Sequence, residues 1–246
     1  MKAALYGRIV FGVSAVLFGV IALMWHDPDT WQSLVRIWRL PFGALIGECL
    51  MIVLIAGGTG ILFARTARAA SIVLMVVYGI FSLACVPGII GAPTVYFEYG
   101  AFFEQFSLFC GAIGLYAITE ASAARAATIG RLARLGLGLC AVSFTLAQIF
   151  YLKITADLVP TWIPPNQVFW AILTTVAFGL AALAMLINRQ ARLATRLMTL
   201  MIVLFGILVW VPRLVAHPEA HGNWSEFALN FLIAGAAWIV AEAPTE

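Results

Sequence analysis

Charged and metal-binding side chains are concentrated in one short stretch of the chain, WVPRLVAHPEAHGNWSEF at residues 210–227. Two of its histidines, His217 and His221, are four residues apart, the spacing of the histidines in the zinc-protease motif H-E-x-x-H. In that motif a glutamate directly follows the first histidine, whereas here Pro218 takes this position and Glu219 comes one residue later. Two-histidine metal binding therefore stays open, but the sequence favours a solvated loop over a metal site.

Four further charged residues are candidates for lining a ligand-binding cleft: Glu48, Glu104, Arg213 and Glu226. Glu48 lies within an apolar run, where inserting an ionised carboxylate into the membrane costs about 2.5–3.5 kcal/mol at most. We therefore expect the Glu48 carboxyl to be neutral, to be paired with another group or to face a water-filled cleft. Glu104 and Glu226 each come at the predicted start of an apolar helix, where the helix dipole stabilises an acidic side chain. We expect Arg213 to pair with Glu226 or with Glu48.

The elements that must position these residues are long and apolar. The chain has 246 residues, of which 63% are hydrophobic and 10% are charged. A membrane-spanning helix needs about 20 mostly apolar residues. Segments of nearly this length occur at 7–25, 42–63, 69–87, 102–119, 135–152, 168–187, 195–211 and 225–241. Because they are apolar on every face, they lack the alternation of barrel strands. The sequence predicts an all-α polytopic membrane protein with eight transmembrane helices.

Lysine and arginine are distributed unequally between the two ends of these helices. Ten of the 14 lie at the ends that we assign to the cytoplasm, and four lie at the opposite ends. This bias predicts a bacterial-type inner (plasma) membrane protein with both termini in the cytoplasm. The outer loops are then 26–41, 88–101, 153–167 and 212–224. The net charge of +3 follows from this topology, so the expected partner is the lipid bilayer and no nucleic acid is expected.

The first outer loop is predicted to contain a helix over residues 27–41 that lies on the outer leaflet. Asp29 or Thr30 would cap its start, since both side chains can accept a hydrogen bond from a free backbone N–H. Trp31 and Trp38 fall on one face of this helix, as in an interfacial amphipathic helix.

The two halves of the chain repeat the same landmarks in the same order. RIVFGVSAVLF at 8–18 returns as RLGLGLCAVSF at 134–144, and the basic turn FARTARAAS at 63–71 returns as INRQARLAT at 187–195. Two prolines and one glutamate also match, with offsets of 122 to 126 residues over the whole set: Pro87 with Pro212, Pro93 with Pro218, and Glu104 with Glu226. Arginines in both basic turns are expected to reach lipid phosphates.

We interpret the chain as a tandem duplication of one four-helix unit. The first unit covers residues 1–118, a cytoplasmic linker covers 119–130, and the second unit covers 131–246. Because four is an even number, both units enter the membrane in the same orientation. The predicted fold is thus two parallel four-helix-bundle repeats related by an axis along the membrane normal.

Three motifs of the repeated unit resemble the DoxX/DoxD-like integral membrane protein family. They are R-x3-G-x2-A-V-x-F from Arg8 and again from Arg134, V-P-x-W-x-P at 159–164, and R-x-A-R-x-A at 189–194. The resemblance covers the chain twice and is stronger in the second half. Members of this family usually have one unit, so the duplication departs from the pattern. An acidic residue near the outer end of the second helix is common in the family, and Glu48 matches it.

The resemblance implies an accessory or anchoring subunit of a membrane redox assembly, with a quinone or a lipid bound in the cleft between the repeats. The cofactor stays open, with a quinone as the candidate and no metal expected, and whether the chain is an enzyme stays open as well. Polar side chains that lie at membrane depth, where such a ligand would bind, are Gln148, Thr174, Thr175 and Asn230. The alternatives are a small-solute or lipid transporter with parallel repeats, and an outer-side metal-binding enzyme built on His217 and His221.

Overall fold

The computed structural model describes residues 2–245, which are helical almost throughout and include no β-strand. Met1 and Glu246, the outermost residues of the two predicted units, lie outside the described residues. In chain order the helices are α1 (Lys2–Met24), α2 (Pro28–Trp31), α3 (Val35–Trp38), α4 (Gly43–Ile61), α5 (Ala67–Gly91), α6 (Tyr96–Thr119), α7 (Ala123–Phe150), α8 (Leu152–Leu158), α9 (Gln167–Leu186), α10 (Ala191–Phe205), α11 (Val211–Ala216) and α12 (His221–Glu242).

Eight helical stretches of the described chain are long and apolar enough to cross a membrane, which confirms the predicted all-α polytopic fold. Seven are single helices, and the eighth combines α10, a π-helical turn at Gly206–Trp210 and α11. Large apolar side chains cover their outward faces; Leu180, for example, is 63% exposed. Such a surface is stable only in contact with lipid, because a soluble protein rarely exposes a large continuous apolar area.

The long helices pack as a closed ring. Each contacts its neighbours in chain order, and the ring closes where α1 packs along α12. Across the middle of the ring, α12 packs on α6 and also contacts α7 less extensively. The polypeptide is thereby divided into two lobes that share α6 and α12.

Each lobe has its own apolar core. The first core contains Phe11 of α1, Leu54 of α4 and Phe81 of α5, and it is completed by Leu232 of α12. The second core is formed mainly by α7, α9 and α10, again with residues of α12. Because α12 contributes to both cores, the two predicted four-helix units are packed against each other and are not separate bundles.

The helix contacts follow a regular pattern under a shift of four transmembrane helices. The α1–α4 contact corresponds to the α7–α9 contact, α5–α6 corresponds to α10–α12, and α1–α12 corresponds to α7–α6. The α6–α12 contact corresponds to itself. This is the pattern expected of two parallel repeats around an axis that passes between α6 and α12, although the repeat itself stays a prediction.

The connections between helices are shorter than predicted. Helix α5 continues through Pro87 to Gly91, so the outer loop predicted at 88–101 is reduced to residues 92–95. A proline interrupts a membrane helix less severely when neighbouring helices hold the backbone, as α6 does here. The predicted linker at 119–130 is likewise mostly helical, since only residues 120–122 separate α6 from α7.

These boundaries also correct the expected positions of two acidic residues. Helix α6 begins at Tyr96 and α12 begins at His221, so neither Glu104 nor Glu226 opens a helix. At about 1.5 Å per residue, Glu104 lies about 12 Å along its helix and Glu226 about 8 Å along its own. Neither carboxyl can therefore act as the predicted partner of free N–H groups in a first helical turn.

Residues 27–38 fold into the bundle instead of lying on the outer leaflet. Asp27, not Asp29 or Thr30, caps α2, because its side chain accepts a hydrogen bond of 2.8 Å from the backbone N–H of Thr30. Trp31 is 1% exposed, and its indole Nε1–H donates to the carbonyl oxygen of Ala22 at 3.0 Å. The predicted apolar face exists, but protein covers it.

Candidate functional site

The outer end of the bundle is the end that carries residues 25–42, 92–95, 159–166 and 217–220, following the predicted orientation. Near this end lie Glu104 of α6 and Glu226 of α12, two helices that pack against each other. Both side chains are largely enclosed by protein, with partial access to the surface. They come from different halves of the sequence and occupy matched positions, 122 residues apart. The sequence identified both residues but placed them on separate helix starts.

A small cavity lies between the outer segment 27–38, α6 and α12. The Gln32 amide donates to the Ser225 hydroxyl at 3.2 Å. Ser225 in turn donates to the carbonyl oxygen of Asp29 at 3.2 Å. The cavity is lined by Gln32, Ser225 and Gln105, and Gln105 is only 2% exposed. Gln32 and Gln105 are not among the site residues predicted from the sequence, although a glutamine within an otherwise apolar segment is a signal for such a residue.

Arg213 and Glu48 occupy different places at the outer end. The Arg213 guanidinium lies 5.5 Å from the ring centroid of Trp210 and within electrostatic range of Glu226. Glu48 instead forms a contact of 3.7 Å with His26, and its side chain is 45% exposed. Of the two partners expected for Arg213, Glu226 is the one with which it interacts. This interaction is electrostatic, and the two side chains form no direct ion pair.

An ion pair that the sequence analysis missed ties the outer segment to α6. Arg36 bonds the carboxylate of Glu98, and this pair lies directly over Gly88 of α5. A Cβ atom at Gly88 would collide with the Arg36 guanidinium, so a larger residue there would require the Arg36 and Glu98 side chains to move. In the second half the matched position is Arg213, whose own side chain supplies a guanidinium at this end. Both halves therefore place one arginine side chain beside α5 or its counterpart.

The two histidines of residues 210–227, His217 and His221, contact protein carboxylates. His217 lies 3.3 Å from Glu219 in an exposed contact, and His221 bonds Asp27 at 2.5 Å while its ring stacks on Trp25 at 4.2 Å. Because α12 begins at His221, the two histidines do not share one helical face. Within residues 2–245 no three His, Cys, Asp or Glu side chains are grouped as a metal site would require.

The contact between His221 and Asp27 joins the start of α12 to the start of α2, in the outer segment that follows α1. Burial opposes ionisation of Asp27, but hydrogen bonds from His221 and Thr30 outweigh it and hold the pKa of Asp27 below its usual value. A carboxyl with a lowered pKa stabilises the fold above its unfolded pKa, and this contribution is lost as the pH falls through the folded pKa.

We expect Asp27→Asn to lower the stability of the protein at neutral pH and to leave it unchanged in acid, below the folded pKa of Asp27. The side chain is 38% exposed, so the loss at neutral pH should not exceed about 1 kcal/mol. Thermal unfolding in detergent across a pH series measures the difference. Asp157→Asn, an exposed carboxylate outside any ion pair described here, serves as the control. A difference between wild type and Asp27→Asn that does not vary with pH would contradict the assignment.

At the opposite end of the bundle, arginines of the two basic turns bond protein carboxylates. Arg68 pairs with Glu120 at 2.9 Å, and Arg196 pairs with Glu242 at 2.5 Å, assisted by Arg192. Arg68 and Arg192, for which contact with lipid phosphate is expected, thus form ion pairs within the protein, and the lipid contact stays a prediction. Glu120 and Glu242 end α6 and α12 at matched positions, so the two halves use the same kind of contact.

A second, apolar cavity opens on the lipid-facing side of the second half. It has a volume of about 410 Å³ and lies between α7, α9, α10 and the loop that follows α8. Its walls are almost entirely apolar, and its polar groups include Gln148 and Thr174. The Gln148 carbonyl accepts hydrogen bonds from Thr174 at 3.3 Å and from Thr175 at 2.9 Å. This leaves the Gln148 amide N–H groups as donors for a ligand.

A distorted helix forms one wall of this cavity. The chain between α10 and α11 is π-helical over Gly206–Trp210, and the Val211 N–H bonds the Gly206 carbonyl five residues earlier. Pro212 follows and lacks the N–H that an α-helical bond to Leu208 would need, which explains why the helix loosens here. Leu208 and Trp210 face the cavity as a result.

The chain was compared with protein families, with curated proteins and with solved structures, and it matches no family model, no curated protein and no solved structure significantly.

Proposed function

We propose that the chain is a DoxX-like integral membrane protein that binds a quinone or a lipid, and that it acts as an accessory or anchoring subunit of a membrane redox assembly. The observation that carries the proposal is the lipid-facing cavity of about 410 Å³ with an amide donor at its polar side. Ligand pockets in proteins commonly have volumes of about 300–1,000 Å³ with apolar walls and few polar groups.

The chemistry of the cavity fits a molecule with an apolar tail and a carbonyl or ester head. A quinone oxygen accepts hydrogen bonds and donates none, so it complements the free N–H groups of Gln148. Indole rings of Trp170 and Trp210 and the side chain of Met201 supply apolar contacts. The cavity lies within the second unit and not between the units. We therefore place the ligand in the second unit.

The contrast between the halves favours ligand binding over transport. A transporter with rocking parallel repeats would be expected to interrupt a helix in each half. Here the π-helical turn occurs in the second half, whereas α4 is continuous through its glycines at 57–60 and α5 is continuous through Pro87. A chain with a distorted helix in one half and continuous helices in the other is better suited to a single ligand site than to transport.

Filling the cavity tests the proposal. The purified protein is titrated with decylubiquinone or with phospholipid and analysed by native mass spectrometry. We expect Met201→Trp to abolish binding by occupying the cavity, and Gln148→Leu to weaken quinone binding about fivefold, which corresponds to one hydrogen bond of about 1 kcal/mol. Leu180→Trp adds the same ring to a lipid-facing position outside the cavity and should bind like the wild type.

The outcomes separate the parts of the proposal. Equal binding by wild type and Met201→Trp would overturn the cavity as the ligand site. Phospholipid retained without any quinone would identify a lipid site. The subunit role is tested by extracting the chain from its native membrane in mild detergent, where a redox-active protein should co-purify; recovery of the chain alone would contradict that role.

A further inference from the structure

The apolar cavity of the second half is elongated along the helical stretch that combines α10, the π-helical turn and α11. The side chains of this stretch that line the cavity recur at the spacing of one helical face, from Leu197 to Trp210. These two residues are about 20 Å apart along the helix axis, at about 1.5 Å per residue. The apolar core of a membrane is about 30 Å thick, so the cavity spans much of its depth.

The amide and hydroxyl side chains that line the cavity lie in its outer part. Gln148 belongs to the last turn of α7 and Thr155 to α8, both at the outer end of the bundle. Thr174 lies two turns into α9, which starts at the outer end. Leu197 lies two turns from the inner end, which is opposite to the outer end and carries the start of α10. The cavity therefore has a polar part near the outer surface and an apolar part deeper in the membrane.

The loop that follows α8 bounds the cavity at its outer end. Val159 lines the cavity, and its carbonyl oxygen accepts a hydrogen bond of 2.6 Å from the Gln167 amide. The Trp170 indole donates to the carbonyl oxygen of Pro164 at 2.9 Å and fastens the loop to α9 at a second point. Deeper in the membrane, Leu197 lines the cavity and is 57% exposed on the lipid-facing surface. A ligand therefore reaches the cavity from the lipid.

Within residues 2–245, no charged side chain lines this cavity. Helix α8 contributes Thr155, whereas Lys153 and Asp157 are exposed and lie two residues from it on either side. Residues two apart do not share a helical face, so both charges lie away from the cavity. Arg213 contacts the ring of Trp210 at 5.5 Å but is not part of the cavity wall.

Gln148 is the polar group best placed to contact the head of a ligand. Its side-chain carbonyl already accepts hydrogen bonds from Thr174 and Thr175, which leaves its amide N–H groups as donors. An ionised head group at this position would lose its hydration without gaining an opposite charge. An uncharged head with a carbonyl oxygen, followed by an apolar chain, matches both the donors and the walls.

We propose that the cavity selects an uncharged lipid with a carbonyl oxygen, which binds with its head at Gln148 in the outer leaflet and its chain extended along α10 towards the inner end. This inference rests on the proposed function, to which it adds the charge of the ligand head and the direction of the bound molecule. Quinones and neutral long-chain esters share this chemistry, whereas the ionised heads of phospholipids do not.

Photolabelling of the full chain in lipid nanodiscs tests both parts of the inference. Three probes carry the same alkyl chain with a diazirine at its far end, and their heads are a benzoquinone, a methyl ester and a permanently ionised sulfonate. We expect an uncharged probe to label α10 around Leu197, and the sulfonate probe to label it at least about tenfold less. A quinone probe with the diazirine beside its ring should instead label residues around Trp210. Leu180, which faces lipid outside the cavity, gives the background.

The two uncharged probes distinguish the sources of the ligand. Labelling by the quinone alone supports the inference with a quinone as the ligand, and labelling by both supports it with the carbonyl head as the shared determinant. Equal labelling of the cavity by the sulfonate probe would overturn the selection of an uncharged head. Labelling near Trp210 from the chain end would overturn the direction. Either result would leave the cavity as a ligand site, whereas labelling that stays at the Leu180 background with every probe would overturn the proposed function as well.

Discussion

Replacing Gly111 by alanine is expected to destabilise the protein by about 1–3 kcal/mol, the range found when a packed interior is overfilled. Gly111 lies in α6 where it crosses α12, and a Cβ there would come within 2.7 Å of the Cα atom of Ala236. A backbone atom cannot rotate away, so the two helices must separate. Because this crossing joins the two lobes, we expect the substitution to weaken the contact between them.

Gly100 offers a matched control on the same helix. No atom lies within 4 Å of a Cβ built at Gly100, so Gly100→Ala meets no obstacle. Alanine favours a helix over glycine by up to about 1 kcal/mol, which makes this substitution neutral or stabilising. Unfolding of both variants by SDS in mixed micelles measures the two free energies. Equal effects at Gly111 and Gly100 would contradict the close crossing.

Truncating Trp31 to alanine is expected to cost about 3–5 kcal/mol of unfolding free energy, the range for a buried large aromatic side chain. The side chain is 1% exposed, lies against Gly47 of α4 and donates a hydrogen bond to Ala22 at the end of α1. It thereby holds the outer segment 27–38 between two transmembrane helices. Its loss leaves both a cavity and an unpaired carbonyl group.

Trp162 serves as the comparison, because it lies in another outer loop and is 70% exposed. Trp162→Ala should change the unfolding free energy by less than about 0.5 kcal/mol. Trp31→Phe should fall between the two, since it keeps most of the packing and loses the hydrogen bond. If Trp31→Ala and Trp162→Ala behaved alike in thermal unfolding, segment 27–38 would instead lie on the membrane surface, as its amphipathic pattern suggests.

The predicted and observed helices agree where hydrophobicity is decisive and differ where tertiary contacts extend them. The segment predicted at 69–87 is continued to Gly91 as part of α5, because neighbouring helices support the backbone beyond Pro87. The segment predicted from 102 starts at Tyr96, since its first turns are aromatic and acidic instead of aliphatic. A hydropathy pattern locates the interior of a membrane helix well and its polar ends poorly.

Tertiary contacts also explain why the prediction that residues 27–38 lie on the outer leaflet is wrong. Residues 27–38 have apolar side chains on one face, which is equally compatible with lipid and with a protein core. Their burial against α4 depends on the hydrogen bond that the Trp31 indole donates to Ala22 of α1. Because this contact joins two separate elements, no local sequence pattern predicts it. Local sequence determined the face, and packing determined what covers it.

By itself, the sequence determined that this protein crosses the membrane eight times, because a bilayer accepts only long apolar helices whose backbone groups are bonded internally. It also singled out Glu104, Glu226 and Arg213 as rare charges in apolar surroundings. Only the tertiary structure decided that α1 packs on α12 and that α6, which carries Glu104, packs on α12, which carries Glu226. Helices of similar apolar composition can pair in many ways, and the close fit of side chains such as Gly111 against Ala236 selects one of them.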